Sequence, residues 1–453
     1  MKKLENSRLY ESAIDKFNEG DYNSALNVFL KLAEEGENDF RVFNYLGVIY
    51  SYAGSYENAV KYFRETVKSN PEYANAYSNL GIIHSNLGDF SKAAEYFEKA
   101  VEKENNNYLT FYNYGIALKE SGKIKEAFEA MKKSVFLNNS FAAAHFHLSL
   151  LFLFNEDYIN GWGEYEWGYK SGDLRERKTE KPRWRGENPD GKTLYIYSDQ
   201  GFGDMFQFLR YLPEIKKSGG KIVLEVEKQT SGIAKRFGYF NMLTDGTPDR
   251  SFKTDFDYHI PLLSIPGVFG KDFRVINEPV PYLFADQEKI EMWKKIITNN
   301  GKLNAGFVWT GNPHPPENRK RHMTLSDFAP LFECENVNWY SLQKGELYKT
   351  ETAGNSEKFI DLADKINDFD DTAAAIENLD LVITIDTSVA HLAGAMGKNC
   401  WVMLANVPDW RWGLTGELCK WYPSLRLFRQ PERGDWNSVI YRIKNELKGL
   451  SNN

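Results

Sequence analysis

The chain has 453 residues, enough for two or three domains, with 42% hydrophobic and 26% charged residues. Its formal net charge of −7 argues against a nucleic-acid partner held by phosphate contacts and leaves at most a local basic groove. Cys334, Cys400 and Cys419 are too far apart for a CxxC metal site and odd in number, which points to a reducing compartment. The start, Met1 to Asn6, lacks a signal-peptide core, and the most apolar short run, Leu148 to Phe154, is too short to span a bilayer. A cytoplasmic protein without an integral membrane segment is expected.

Residues 7–175 carry an internal period of 34 residues. Leu46-Gly47, Leu80-Gly81, Tyr114-Gly115 and Leu148-Ser149 recur at that interval, as do Gly20, Gly54, Gly88 and Gly122. Ala25, Ala59, Ala93, Ala127 and Gly161 form a third column, and Phe29, Phe63, Phe97, Met131 and Tyr165 a fourth. This pattern resembles the tetratricopeptide repeat (TPR), about five units of paired helices joined at the glycine turns. The small residues let paired helices approach, and the large column is expected to fill the seam with the next unit. Such an array implies a concave groove for a protein or peptide, with homodimerisation or scaffolding as its other use. The aromatic fifth unit, Gly161 to Trp167, reads as a cap that docks on the next domain, and 176–191 reads as a linker with turns.

From Lys192 the periodicity changes to alternating strands and helices. Thr193–Ser198 is a short apolar run, followed by Gly201-Phe202-Gly203-Asp204 and a helical pattern from Met205 to Ile215. Lys221–Glu227 is the next strand, so the unit is βαβ and the sheet parallel. A first lobe is expected over 192–290 and a second over 291–432, closed by a C-terminal helix within 433–453. In the second lobe, strands at 303–309, 337–342, 379–385 and 400–404 alternate with helices at 371–378 and 389–396. Ligands of such sheets sit at the carboxyl ends of the strands.

Four strand ends carry the candidate chemistry. Asp386-Thr387-Ser388-Val389 closes one strand and opens a helix whose free N–H groups and dipole favour a phosphate. Thr387 or Ser388 is placed to cap that helix and donate to phosphate oxygen. His391, four residues after Thr387, shares its face and would reach a diphosphate as donor and cation, unless it is an ordinary structural histidine. Gly201 and Gly203 permit close approach of a substrate, and Asp204 reads as a general base, a substrate-positioning group or a helix-capping carboxylate. Thr310, Gly311 and Asn312 come after a third strand and read as phosphate contacts. Gln343 and Lys344 come after a fourth, with Lys344 either neutralising a leaving diphosphate or standing as a solvated lysine. Asn318 to His322 forms a basic loop or a phosphate-side lid. Asp255-Phe256-Asp257 has the spacing of a metal-binding DxD but lies away from the nucleotide ends, and no metal is expected. Pro408 to Gly413 is an aromatic loop, suited to stacking on a ligand or clamping the lobes.

Together these pieces resemble bacterial TPR proteins with a C-terminal glycosyltransferase domain of the GT-B fold, two Rossmann-like lobes. That domain is similar to the family-nine transferases, the ADP-heptose:lipopolysaccharide heptosyltransferases, and more distantly to O-GlcNAc transferase. The resemblance rests on Gln200 to Asp204, Pro261 to Ser264, Trp309 to Asn312, Ser341 to Glu346, Asp386 to Gly397 and Pro408 to Trp412. It implies Asp204 as the base and Asp386, Thr387 and His391 as a diphosphate motif, with Ser388 replacing the family's glycine. It further implies inverting, metal-independent transfer from a nucleotide-sugar to a protein hydroxyl, with flagellin as one acceptor of relatives built on this plan. A glycan-chain transferase and a non-catalytic scaffold are the alternatives.

Overall fold

The computed structural model describes residues 2–35, 39–198, 200–246, 251–270, 279–311, 321–345, 348 and 357–450. The chain forms two compact units, Met1–Leu151 and Phe152–Asn453.

The first unit is all-helical. Its helices are α1 (Lys2–Asn18), α2 (Tyr22–Glu34), α3 (Phe40–Tyr52), α4 (Tyr56–Ser69), α5 (Ala74–Asn86), α6 (Phe90–Lys103), α7 (Tyr108–Glu120) and α8 (Ile124–Leu137), with α9 (Ala142–Phe154) running across the division. Acidic caps start several of them: Asp21 accepts from the Ser24 N–H at 3.1 Å and Asp89 from Lys92 at 3.2 Å. The turn glycines Gly20, Gly54, Gly88 and Gly122 all adopt positive φ, between 70° and 84°. The second glycine column does a different job. A Cβ on Gly47 would sit 2.6 Å from the Phe63 ring, and one on Gly81 would sit 2.8 Å from Phe97. The large column therefore packs inside each helix pair, α3 on α4 and α5 on α6, and it also fills the expected seam with the next unit, where Phe63 clusters with Leu80 and Ile83 and Phe29 stacks on Tyr45 at 4.9 Å.

The second unit begins with α10 (Tyr158–Tyr165) and α11 (Trp167–Ser171). These helices belong to the α/β unit. The Trp162 ring lies edge-on to Phe208 at 5.6 Å and to Trp410 at 5.7 Å.

Next come β1 (Thr193–Tyr197), α12 (Phe202–Phe208), α13 (Leu212–Lys217), β2 (Lys221–Val226), α14 (Ser231–Phe237), β3 (Met242–Asp245), β4 (Tyr258–Pro261), α15 (Ile265–Phe269) and α16 (Gln287–Trp293). β1–β4 form a parallel sheet in the order β3-β2-β1-β4. The single helix expected from Met205 to Ile215 is interrupted by a tight turn at Leu209–Tyr211. Pro213 explains this: it has no N–H to return to Leu209, and its ring crowds that carbonyl.

The remaining elements are β5 (Leu303–Val308), α17 (Leu325–Phe328), β6 (Val337–Ser341), β7 (Ile360–Asp361), α18 (Phe369–Glu377), β8 (Leu381–Ile385), α19 (Ser388–Ala395), β9 (Cys400–Leu404), β10 (Leu425–Arg429) and α20 (Trp436–Leu450). The second sheet is parallel in the order β10-β9-β8-β5-β6-β7. The short edge strands β7 and β10 escaped the sequence reading; in β10, Arg426 and Arg429 break the apolar run. One face of this sheet buries Phe307, Trp309, Ile383 and Met403 against Phe328, Trp436 and Ile443. Each such side chain contributes about 1.5–3 kcal/mol by leaving water. Helical TPR-like repeats thus precede a region of parallel sheets.

Candidate functional site

Each sheet reverses its strand order once, between β1 and β4 in the first and between β5 and β8 in the second. Loops diverge at such a point and leave a crevice at the carboxyl edge. The loops after β5 and β8 border one pocket of about 600 Å³. Thr310 and Gly311 come from the first of these loops, and Thr387, Ser388 and Val389 from the second. Gln343, Lys344 and Gly345 come after β6, Ile366 to Phe369 and Thr372 lead into α18, and Phe202 and Gln229 come from the four-stranded lobe.

β8 is apolar and fully buried, so its chain emerges at Asp386 with nowhere to bury a further polar run. Thr387 occupies the N-cap position of α19 in extended geometry, φ −139°, but its side chain caps nothing. Thr384 Oγ1 donates to the Ile385 carbonyl at 2.9 Å and lies 2.9 Å from Thr387 Oγ1. The only proton on Thr384 is therefore committed, and Thr387 donates to it. Of the two hydroxyls expected to donate to phosphate, Thr387 or Ser388, the first is thus engaged with Thr384. That role is left to Ser388 and to the uncapped first-turn N–H groups of Ser388 and Val389.

Gly311 lies beside this helix start; a Cβ there would meet Thr387 Cγ2 at 3.8 Å. Gln343 Oε1 accepts from the backbone N–H groups of Trp309 at 3.3 Å and Thr310 at 3.1 Å, so it stiffens the loop after β5. Thr310 Oγ1 is 2.7 Å from His322 Nδ1. The Lys344 ammonium donates to the carbonyls of Ala363 at 2.6 Å and Ile366 at 2.5 Å, tying its own loop to the approach of α18. It is thus engaged although the residue is exposed to solvent. Asn312, Asn318, Arg319 and Lys320 lie outside the described residues.

Asp386 stands behind the pocket wall. Arg321 Nη1 is 3.0 Å from both its Oδ2 and its backbone carbonyl. Burial raises its pKa, and Arg321 works against that rise.

Asp204 lies two residues from the pocket-lining Phe202. Its Oδ2 accepts from the Gly201 N–H at 3.1 Å, so it does cap α12. Its Oδ1 is 2.5 Å from Arg411 Nη2. Burial pushes its pKa up, and the Arg411 guanidinium opposes this. Arg411 also donates from Nε to Gln207 Oε1 at 2.7 Å and from Nη1 to Asp409 at 2.9 Å. Burial raises Asp409 as well, but Arg411 outweighs it and the net pKa is lowered. The aromatic loop around Trp410 therefore clamps the two lobes and does not line the pocket.

His391 is placed differently from the expectation. It faces Gly203, where a Cβ would sit 2.6 Å from its Cδ2, and it is not among the pocket-lining residues. Burial, then Arg411, pushes its pKa down to about 3. It is neutral at pH 7, which removes the role of diphosphate-binding cation. Asp255 pairs with Lys181 at 2.9 Å, and Asp257 accepts from the Thr193 N–H at 2.8 Å. Among the described residues no group of acidic, His or Cys side chains has the arrangement of a metal site.

The sequence reading missed Tyr348 and the segment Ile366–Thr372. Tyr348 donates to the Gly311 carbonyl at 3.0 Å. The signal for the second was Asp368, which caps α18 through the Asp371 N–H at 3.0 Å. A cap at the exit of an unrecognised strand does not stand out.

Helical repeats joined to parallel sheets define the class of this chain. The family described as Tetratricopeptide repeat matches residues 46–108. Protein FlbA of Caulobacter vibrioides is 25% identical over 318 residues, covering 64% of this chain and 52% of FlbA. The chain spans about half the length of this curated relative. Among solved structures, MamA from Desulfovibrio magneticus is 21% identical, with a TM-score of 0.33, over 37% of this chain and 94% of MamA. YrrB, described as a TPR protein with an unusual peptide-binding site, is 17% identical, with a TM-score of 0.33, over 36% of this chain and 85% of YrrB. Among the described residues no helix is long and apolar enough to cross a membrane.

Proposed function

We propose that the second unit is a GT-B glycosyltransferase that moves a sugar from a nucleotide-sugar to a protein hydroxyl, and that the repeat array holds the acceptor. The observation that carries this reading is the pocket at the β5/β8 reversal, bordered by the uncapped start of α19 and by Phe202 beside Asp204. In this reading Asp204 takes the proton from a Ser or Thr hydroxyl, flagellin being one such acceptor. The freed oxygen bonds to the anomeric carbon from the face opposite the nucleotide, and the carbon–oxygen bond to the diphosphate breaks with inversion. The leaving diphosphate keeps the electron pair and is met by Ser388, Val389 and Lys344 without a metal.

The test is a thermal-shift screen over UDP, GDP, ADP, CMP and TDP, followed by transfer assays with sugars on the nucleotide that binds. Asp204→Asn is expected to lower turnover by roughly 10²–10⁴-fold with nucleotide affinity retained. Full turnover in that variant, or no stabilisation by any nucleotide, overturns the reading. A second reading is a silent binding scaffold. It is favoured by the engagement of both Asp204 oxygens, one with Gly201 and one with Arg411. Nucleotide binding with no turnover from any donor would support it.

A further inference from the structure

The start of α18 belongs to two structures at once. On one side Asn367, Asp368 and Phe369 line the pocket. On the other, the same turn is held from outside by α12, α14 and α16. The Phe369 ring lies edge-on to Phe202 at 4.9 Å and to Phe206 at 5.0 Å, both on α12. The Asp370 carboxylate is paired with Arg236 of α14. Arg236 is itself fixed: its Nε donates to the Phe284 carbonyl at 3.0 Å, and its Nη1 lies 3.6 Å from Asp286. Gly232, one turn earlier on α14, packs so closely that a Cβ there would overlap the Asp370 carboxylate. Lys289 of α16 completes the grip, 3.1 Å from Asp368 and 2.8 Å from Asp371. Phe202 and Gln229, the four-stranded lobe's share of the pocket lining, come from α12 and from the turn that leads into α14.

We propose that Arg236 is a positioning residue for the pocket: through Asp370 it holds the Asp368–Phe369 wall in place across the lobe boundary, so a ligand is gripped by both lobes at once. Only 26% and 14% of the two side chains are exposed, so the pair is screened less than an open surface pair. The planar guanidinium reaches three acceptors together, which an ammonium cannot do. Phe369 adjoins Asp370 in the chain, so a displaced carboxylate carries the pocket wall with it. The choice of nucleotides as probes rests on the transferase reading; the placement of the wall does not.

The test is titration calorimetry of the full-length chain with UDP, GDP, ADP, CMP and TDP, alongside amide exchange without nucleotide. Arg236→Gln and Asp370→Asn are expected to weaken binding of the nucleotide that binds by about tenfold. Arg236→Lys is expected to recover part of this loss, because an ammonium can still meet Asp370 but not also the Phe284 carbonyl. Gly232→Ala separates position from local stability. Alanine favours a helix over glycine, yet its Cβ displaces Asp370, so weaker binding is expected from a substitution in the opposite lobe and outside the lining. Without nucleotide, exchange is expected to quicken at 366–372 in Arg236→Gln, Asp370→Asn and Gly232→Ala and to stay unchanged at 381–385. Undiminished affinity in Asp370→Asn and Gly232→Ala, or Arg236→Lys no better than Arg236→Gln, overturns the proposal. If no nucleotide binds the unaltered chain, the transferase reading falls, and the exchange at 366–372 decides this proposal alone: quickened supports it, unchanged overturns it.

Discussion

Asp204 follows Gly203, which packs against His391, and burial shifts the pKa values of Asp204 and His391 in opposite senses. Both are driven toward neutrality by burial, but the carboxylate has Arg411 to hold its charge, and for the imidazole the same guanidinium is a further penalty. The consequence for stability has a definite sign. The folded His391 has its pKa depressed from 6.5 to about 3, so between those values the unfolded chain binds a proton that the folded chain refuses. Its contribution is fully present above about pH 6.5 and is lost as pH falls toward about 3, on the order of 5 kcal/mol in all. Urea midpoints measured between neutral and acid pH are expected to fall in this window. His391→Gln is expected to flatten that part of the curve, and an unchanged slope would show that other groups carry it. The sequence singled out His391 correctly as a helix-face residue four positions after Thr387. It could not show its charge state, which depends on Tyr422, Trp412 and Arg411, all contributed by later segments.

At the scale of elements, close approach is set by glycines whose neighbours the sequence does not name. α12 and α19 meet at Gly203, and a Cβ there would overlap His391 at 2.6 Å. Gly203→Ala is expected to cost about 1–3 kcal/mol, read by chemical denaturation, since either the ring or a helix must move. Gly81→Ala tests the same physics in the repeat array, where the obstacle is the Phe97 ring at 2.8 Å. A loss of about 1–3 kcal/mol is again expected, and Phe97→Leu in the same chain should recover part of it if the ring is the obstacle. The repeat helices were legible because a fixed period multiplies a weak signal over several units. The loops that complete the pocket were legible only where a strand run ended in polar residues, as at Thr310 and Thr387. Residues 366–372 were not, because β7 is two residues long and carries almost no pattern of its own.

For the molecule as a whole, pocket and repeats draw on different kinds of sequence information. The array is local: each helix pair is specified within its own period. The pocket gathers Thr310, Lys344, Asn367 and Ser388 from loops spread over the six-stranded sheet, and strand order alone brings them together. A nucleotide bound there is expected to slow amide exchange together at 308–311, 342–345, 366–372 and 387–389. Protection confined to one of these segments would mean that the ligand sits elsewhere.

Arg210 imposes a final condition on the second unit. Its guanidinium is fully buried, with both Nη atoms 3.2 Å from the Trp421 carbonyl and the Tyr282 ring 4.6 Å away. Among the described residues it forms no ion pair. A guanidinium cannot discharge to escape such a place, as a lysine would. The seam it anchors therefore has no acid or alkaline release: a cation soldered to a peptide oxygen and aromatic faces keeps its grip at any pH the chain survives.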